Sequence, residues 1–135
     1  MSAERLIPLM LNDTSITALI GDRLALERLP TNIEYPAVAY TVISDIPHPN
    51  VAYQNGQQLT FARVQINPIA LTVAKVVEIH SAIKNLLNFK HNTLFSGIRV
   101  MSCRIDPESG KGMFEKDDET GLWTRSVDYF LQYYE

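Results

Sequence analysis

The stretch from Leu59 to Phe89 constrains the fold more than any other, because the spacing of its apolar residues changes once, abruptly, near its middle. From Leu59 to Asn67, Ala62, Val64 and Ile66 alternate with Arg63, Gln65 and Asn67, which is the period of a strand with one buried and one wet face. Past Pro68, Val73, Val76, Val77, His80, Ile83, Leu86 and Leu87 recur at helical steps over Thr72 to Asn88. The expected unit is a strand followed by the helix that covers it. No catalytic pattern lies within it, so function has to come from a site elsewhere or from the surfaces that the fold presents.

Upstream, Ala3 to Gly21 reads as one interrupted helix or two short ones, with Leu6, Leu9, Met10, Ile16, Leu19 and Ile20 as the apolar positions. Pro8 fits a first turn, Asp13 or Thr14 can cap a second segment, and Gly21 is a natural stop. Asp22 to Leu29 alternates as a weak strand, and Pro36 to Ile43, β-branched and aromatic, is the strongest strand signal of the first half. Pro47-His48-Pro49-Asn50 closes that strand, and the chain continues through Tyr53 and Asn55-Gly56 to Gln58 as an exposed hairpin arm or long loop.

After the helix, His91 to Ser96 reads as a polar connection, and Ile98 to Ile105 as a strand with Cys103 beside Met101 and Ile105 on one face. Asp106 to Gly121 carries six acidic residues (Asp106, Glu108, Glu115, Asp117, Asp118, Glu119) against Lys111 and Lys116, and with Pro107, Gly110 and Gly112 it reads as an irregular, mobile loop. Leu122 to Tyr134 is expected to be one long closing strand, in which Trp123, Val127, Tyr129, Leu131 and Tyr133 alternate with polar residues. Phe130 and Tyr134 fall on its otherwise polar face, a placement that suits a subunit boundary. The whole reads as one α+β domain over residues 1–135, with a mostly antiparallel sheet and helices packed on one face.

Chemistry finds little footing in this pattern. His48 lies between prolines, His80 among the apolar positions of the helix and His91 in a polar stretch, none with an acid or cysteine at ligand spacing. Cys103 inside an apolar alternation reads as a small buried core residue rather than a reactive thiol. The acidic loop lacks the alternating oxygen-ligand spacing of a calcium loop, and the chain has no phosphate-cradling glycine motif and no serine-hydrolase elbow. No cofactor, no metal and no enzymatic activity are therefore expected.

A net charge of −3 without a basic stripe argues against sequence-specific nucleic-acid binding. No apolar run approaches the length of a membrane span, and Pro8, Asn12 and Asp13 interrupt the N-terminal apolar run before it could serve as a signal peptide. The product is expected to stay where it is made. The lone Cys103 excludes an internal disulfide.

The order of signatures resembles the tail-completion, or tail-terminator, family of long-tailed bacteriophages. It runs through Gly21-Asp22-Arg23-Leu24, Tyr35-Pro36-Ala37-Val38-Ala39-Tyr40, Ala62-Arg63-Val64-Gln65-Ile66-Asn67, the Ala74 to Leu87 helix and Thr120-Gly121-Leu122-Trp123-Thr124-Arg125-Ser126-Val127-Asp128-Tyr129. The resemblance implies a non-enzymatic virion protein, made in the host cytoplasm, that forms a hexameric ring at the head-proximal end of the tail. Such a ring stops tube growth and offers a surface to the head connector or stopper protein. It also implies self, the tail tube protein and that connector as partners, with DNA passing through the lumen; acidic residues lining such a lumen would repel the DNA phosphates and let the genome slide.

On this reading Pro47, His48, Pro49, Tyr53, Asn55, Asp117, Asp118 and Glu119 are the candidate partner-binding residues, and Phe130 and Tyr134 the candidate subunit interface. Three alternatives remain open at this point: another neck component such as a head-completion stopper, a small ligand-binding or enzymatic α+β domain with a pocket at His80 or Cys103, and a generic interaction module without a tube partner.

Overall fold

The computed structural model describes residues 3–30, 32–47, 58–109 and 114–134. At its centre is the expected unit: strand β3 (Leu59–Ala70) leads into helix α3 (Val73–Leu87). Thr72 caps that helix, its side chain accepting from the Lys75 amide at 3.2 Å. The buried stripe of α3 is Val76, Ile79, Ile83 and Leu87, so Ile79 takes a core position while Val77 faces solvent.

Before this unit come α1 (Ala3–Met10), α2 (Thr14–Ile20), β1 (Leu24–Leu26) and β2 (Ala37–Pro47). After it come β4 (Lys90–Phe95), β5 (Ile98–Ile105), β6 (Glu115–Lys116), β7 (Trp123–Thr124) and β8 (Val127–Tyr134). The sheet order is β1-β2-β3-β8-β5-β4, antiparallel throughout except for the parallel pair β1 and β2, while β7 extends the ladder on β3 and carries β6. All three helices contribute to one core with a single face of this sheet. The fold is α+β with a mostly antiparallel sheet covered on one side, as the sequence predicts.

Pro8 lies inside α1, beyond the first turn that the sequence reading allowed it. A proline there has no N–H to give the carbonyl four residues back. That carbonyl belongs to Glu4, and it accepts instead from the Tyr40 hydroxyl of β2 at 2.8 Å. The first amide of the helix, Ala3 N, donates to Asp45 Oδ2 at 3.0 Å, and Asp45 Oδ1 accepts from the Tyr133 hydroxyl at 2.7 Å. The sheet thus supplies the groups that α1 cannot supply itself.

Asp45 reaches the helix side because of a β-bulge. The ladder between β2 and β3 runs from Val42↔Val64 directly to Ser44↔Arg63, leaving Ile43 as the extra residue. The shift turns Ser44 and Ile46 to the open face and Asp45 to the covered one. A second bulge at Met101 in β5, between Val100↔Tyr133 and Ser102↔Gln132, likewise puts Cys103 in the core and Arg104 on the open face.

Three expectations from the sequence need correction. His91 to Ser96 is not a plain connection: β4 pairs with β5 through a two-residue turn in which Ser96 and Gly97 both have positive φ, the geometry that matches strand twist in tight hairpins. Leu122 to Tyr134 is not one strand but two, β7 and β8, which hold a common register on β3 and skip Arg125 and Ser126 opposite Pro68 and Asn67. Pro68 itself stays within β3, which runs on to Ala70. Finally, Asp106 to Gly121 is structured where it is described, as shown next.

Candidate functional site

The face of the sheet that the helices leave uncovered carries the polar side of β3, β8 and β5. Arg63, Phe130 and Arg104 lie across it in register, since Arg63 pairs with Phe130 and Phe130 with Arg104. Both guanidinium groups stack on the phenyl ring, with centroid distances of 5.5 Å for Arg63 and 5.1 Å for Arg104.

Arg63 is also held by carboxylates. Its Nε donates to Asp128 Oδ2 at 2.8 Å, Nη2 donates to the same oxygen, and Nη2 reaches Asp106 Oδ2 at 3.5 Å. Asp128 is only 5% exposed, and Gln65 Nε2 donates to its other oxygen at 3.2 Å. Those donors give both oxygens of this buried side chain partners, which offsets the cost of burying them. Arg104, by contrast, is exposed and has no carboxylate partner among the described residues.

These residues border an open groove of about 500 Å³, which Ser44, Ile46, Phe61, Ser102 and Gln132 also line. Ile46, 58% exposed, and its cross-strand partner Phe61 join Phe130 as the apolar part of the lining. The groove therefore combines apolar surface, hydroxyl and amide groups and an exposed guanidinium that has no carboxylate partner among the described residues, a composition suited to a protein segment that carries carboxylates.

At the far end of β3 the acidic connection folds back on itself. Asp106 to Ser109 is tied to β8: Asp106 N donates to Asp128 O at 2.9 Å, and the Asp128 amide donates to Ser109 Oγ at 2.9 Å. From Glu115 to Thr124 it forms the β6–β7 hairpin, whose turn is closed by Asp117 N to Leu122 O at 2.9 Å and Gly121 N to Asp117 O at 2.7 Å. Asp117 Oδ1 accepts from Glu119 N at 3.0 Å. Lys116 lies over the Trp123 ring at 5.6 Å, which holds one strand of the hairpin on the other. The tip presents Asp117, Asp118 and Glu119, all exposed, on a hydrogen-bonded hairpin turn rather than in an irregular stretch.

The remaining predicted residues divide as follows. Pro47 is exposed at the end of β2, while His48, Pro49, Tyr53 and Asn55 lie outside the described residues. Phe130 is on the open face as expected. Tyr134 is on that face too but only 8% exposed within the chain itself, which leaves it little surface for another subunit. The sequence reading placed Arg63 and Asp128 on polar faces but not against each other. Nor did it single out Arg104, because only the strand pairing brings β5, β8 and β3 side by side.

Burial pushes the Cys103 thiol up to about 12, so it stays protonated. His80 has its pKa lowered by burial and by the charges of Arg125 and Lys84. Neither lines the open-face groove. Among the described residues no three His, Cys, Asp or Glu side chains are placed to hold a metal ion, and no helix is long and apolar enough to cross a membrane.

Among solved structures, the chain is similar to one in the virion of a native gene transfer agent (GTA) particle. The TM-score is 0.62 at 10% identity, over 96% of this chain and 92% of that one. At that identity the likeness is one of fold. No protein-family model matches the chain, and no curated protein does.

Proposed function

We propose that this chain is a structural protein of a phage-like virion, and within that class a tail-completion protein. On this reading its subunits form a hexameric ring that ends the tail tube and offers the interface for head-tail joining. The observation that carries the reading is a fold shared over nearly the full length of both chains with a component of a GTA virion, at a sequence distance where fold is all that is retained. The sequence resemblance to tail-terminator proteins, residue pattern by residue pattern, supports the finer assignment.

Termination of this kind needs no chemistry. A subunit ring that matches the tube end on one side and lacks a tube-like surface on the other stops growth by shape alone. A covered sheet face gives each subunit a rigid body, and an open face with an aromatic-arginine groove and a projecting acidic hairpin gives it contacts to make. The partners are then other copies of the chain, the tail tube protein and the head connector or stopper, and the location is the virion after assembly in the host cytoplasm. The whole of residues 1–135 acts as one domain.

The test is to mix the purified protein with tail tubes that lack a terminator and image the tube ends by negative-stain electron microscopy. A ring at one end with elongation stopped is the expected result. Bare ends that keep growing would sink the tail-completion assignment, and binding to capsid connectors instead would mark the chain as a head-completion stopper.

A further inference from the structure

We infer that successive subunits join head to tail, with the acidic β6–β7 hairpin of one copy seated in the open-face groove of the next. This deepens the ring reading above and rests on it for its biological meaning.

Charge is the first argument. No Asp or Glu occurs between Glu78 and Asp106, while Lys84, Lys90, Arg99 and Arg104 do; the following stretch to Gly121 holds six carboxylates against two lysines. The pairing of β4, β5 and β8 brings Arg99 and Arg104 onto the open face, one beside Leu94 and the other beside Phe130. Arg104 has no carboxylate partner among the described residues, and Asp117, Asp118 and Glu119 are exposed at the hairpin tip. The groove therefore offers a guanidinium without a carboxylate among the described residues, and the hairpin tip offers three exposed carboxylates.

Geometry makes the contact intermolecular. Phe61 borders the groove and Ile69 pairs with β7 at the hairpin, eight residues further along the same strand. At strand rise that separation is about 26 Å. A sheet ladder between the two sites holds them apart, so no copy can fill its own groove. Two different surfaces in contact make a heterologous interface, which closes into a ring when the rotation per step allows it.

Shape and order agree. The hairpin tip is fixed by its own hydrogen bonds, and Phe130 is fixed between two guanidinium groups, so neither side has much freedom to lose on docking.

The test is site-directed cross-linking with a short bismaleimide. Ser44→Cys places a thiol in the groove and Thr120→Cys places one at the hairpin tip, and neither substitution removes a charge. Native Cys103 is buried and does not compete. Mixing the two variants should give cross-linked dimers, each variant alone should give none, and the double variant should give a ladder of oligomers.

Arg104→Glu in the groove chain should lower the mixed yield at least about tenfold, and Asp117→Arg with Asp118→Arg in the hairpin chain should restore it. A mixed pair that fails to cross-link, or like pairs that cross-link as well as mixed ones, overturns the contact. The ring reading is judged apart from it: protein that caps tubes without this cross-link leaves tail completion standing, and protein that cross-links but caps nothing leaves only the contact.

Discussion

The Tyr129 hydroxyl is buried with no hydrogen-bond partner among the described residues, and burial together with nearby Cys103 raises its pKa above the ordinary tyrosine value. An unsatisfied polar atom in a core costs about 1–3 kcal/mol. Tyr129→Phe removes that atom and keeps the ring, so thermal unfolding should show a gain of about 1 kcal/mol. A loss would mean the hydroxyl is bonded. His80 predicts a pH effect of definite sign. Its folded pKa is lowered, first by burial and then by Arg125 and Lys84, from an ordinary value of 6.5. The unfolded chain therefore binds this proton more readily, and stability falls as pH drops below about 6.5. His80→Gln should flatten that part of the profile in urea unfolding between neutral and mildly acidic pH, and an unchanged profile would assign the acid loss to other groups.

At the scale of elements, the joint between α1 and the sheet is open to a double-mutant cycle. Tyr40→Phe should cost about 1–2 kcal/mol, because it strands the Glu4 carbonyl that Pro8 cannot serve. In a Pro8→Ala background the helix satisfies that carbonyl itself, so the same substitution should cost clearly less; equal costs in chemical denaturation would show that the two positions are independent. This joint also shows where sequence reading stops. The strand-to-helix switch at β3 and α3 was legible because a single period decides each half, and the open-face position of Phe130 followed from simple alternation. Pro8 was misread because the group that compensates for it comes from a strand more than thirty residues away. β4 is hard to read locally because its polar His91 is held by pairing with Ser102 of β5 and Asn92 breaks the strand pattern at a positive φ, although Ser96-Gly97 between two runs is a usable hairpin signal. The bulges at Ile43 and Met101, which aim Asp45 and Arg104, are tertiary features that no local pattern announces. The same holds for the Arg63–Asp128 pair. Asp128→Ala should release Asp106 to Ser109 from β8 and raise amide exchange there, because Arg63 and Gln65 lose their acceptor; protection that persists would show that the backbone bonds suffice.

For the whole molecule, the acidic tip has two uses in the proposed ring, and one variant separates them. Asp117, Asp118 and Glu119 changed together to Ser should leave the monomer folded, since all three side chains are exposed and the turn is closed largely by backbone bonds. If the tip docks in the groove of a neighbour, the variant removes the carboxylates that face Arg104 across the contact. Fewer capped tails should then form, with a deficit that narrows at high salt, where the wild-type contact is itself screened. If the tip lines the lumen, rings should form in normal number, and the loss should appear instead in DNA delivery, because a lumen without negative charge lets phosphates linger. Counting capped tails by electron microscopy and delivered genomes per assembled particle in the same preparation distinguishes the two. The exposed Arg104 and its phenyl platform favour the first result, since they form a cationic surface that an acidic tip can fill. Normal counts on both measures would remove the tip from both roles.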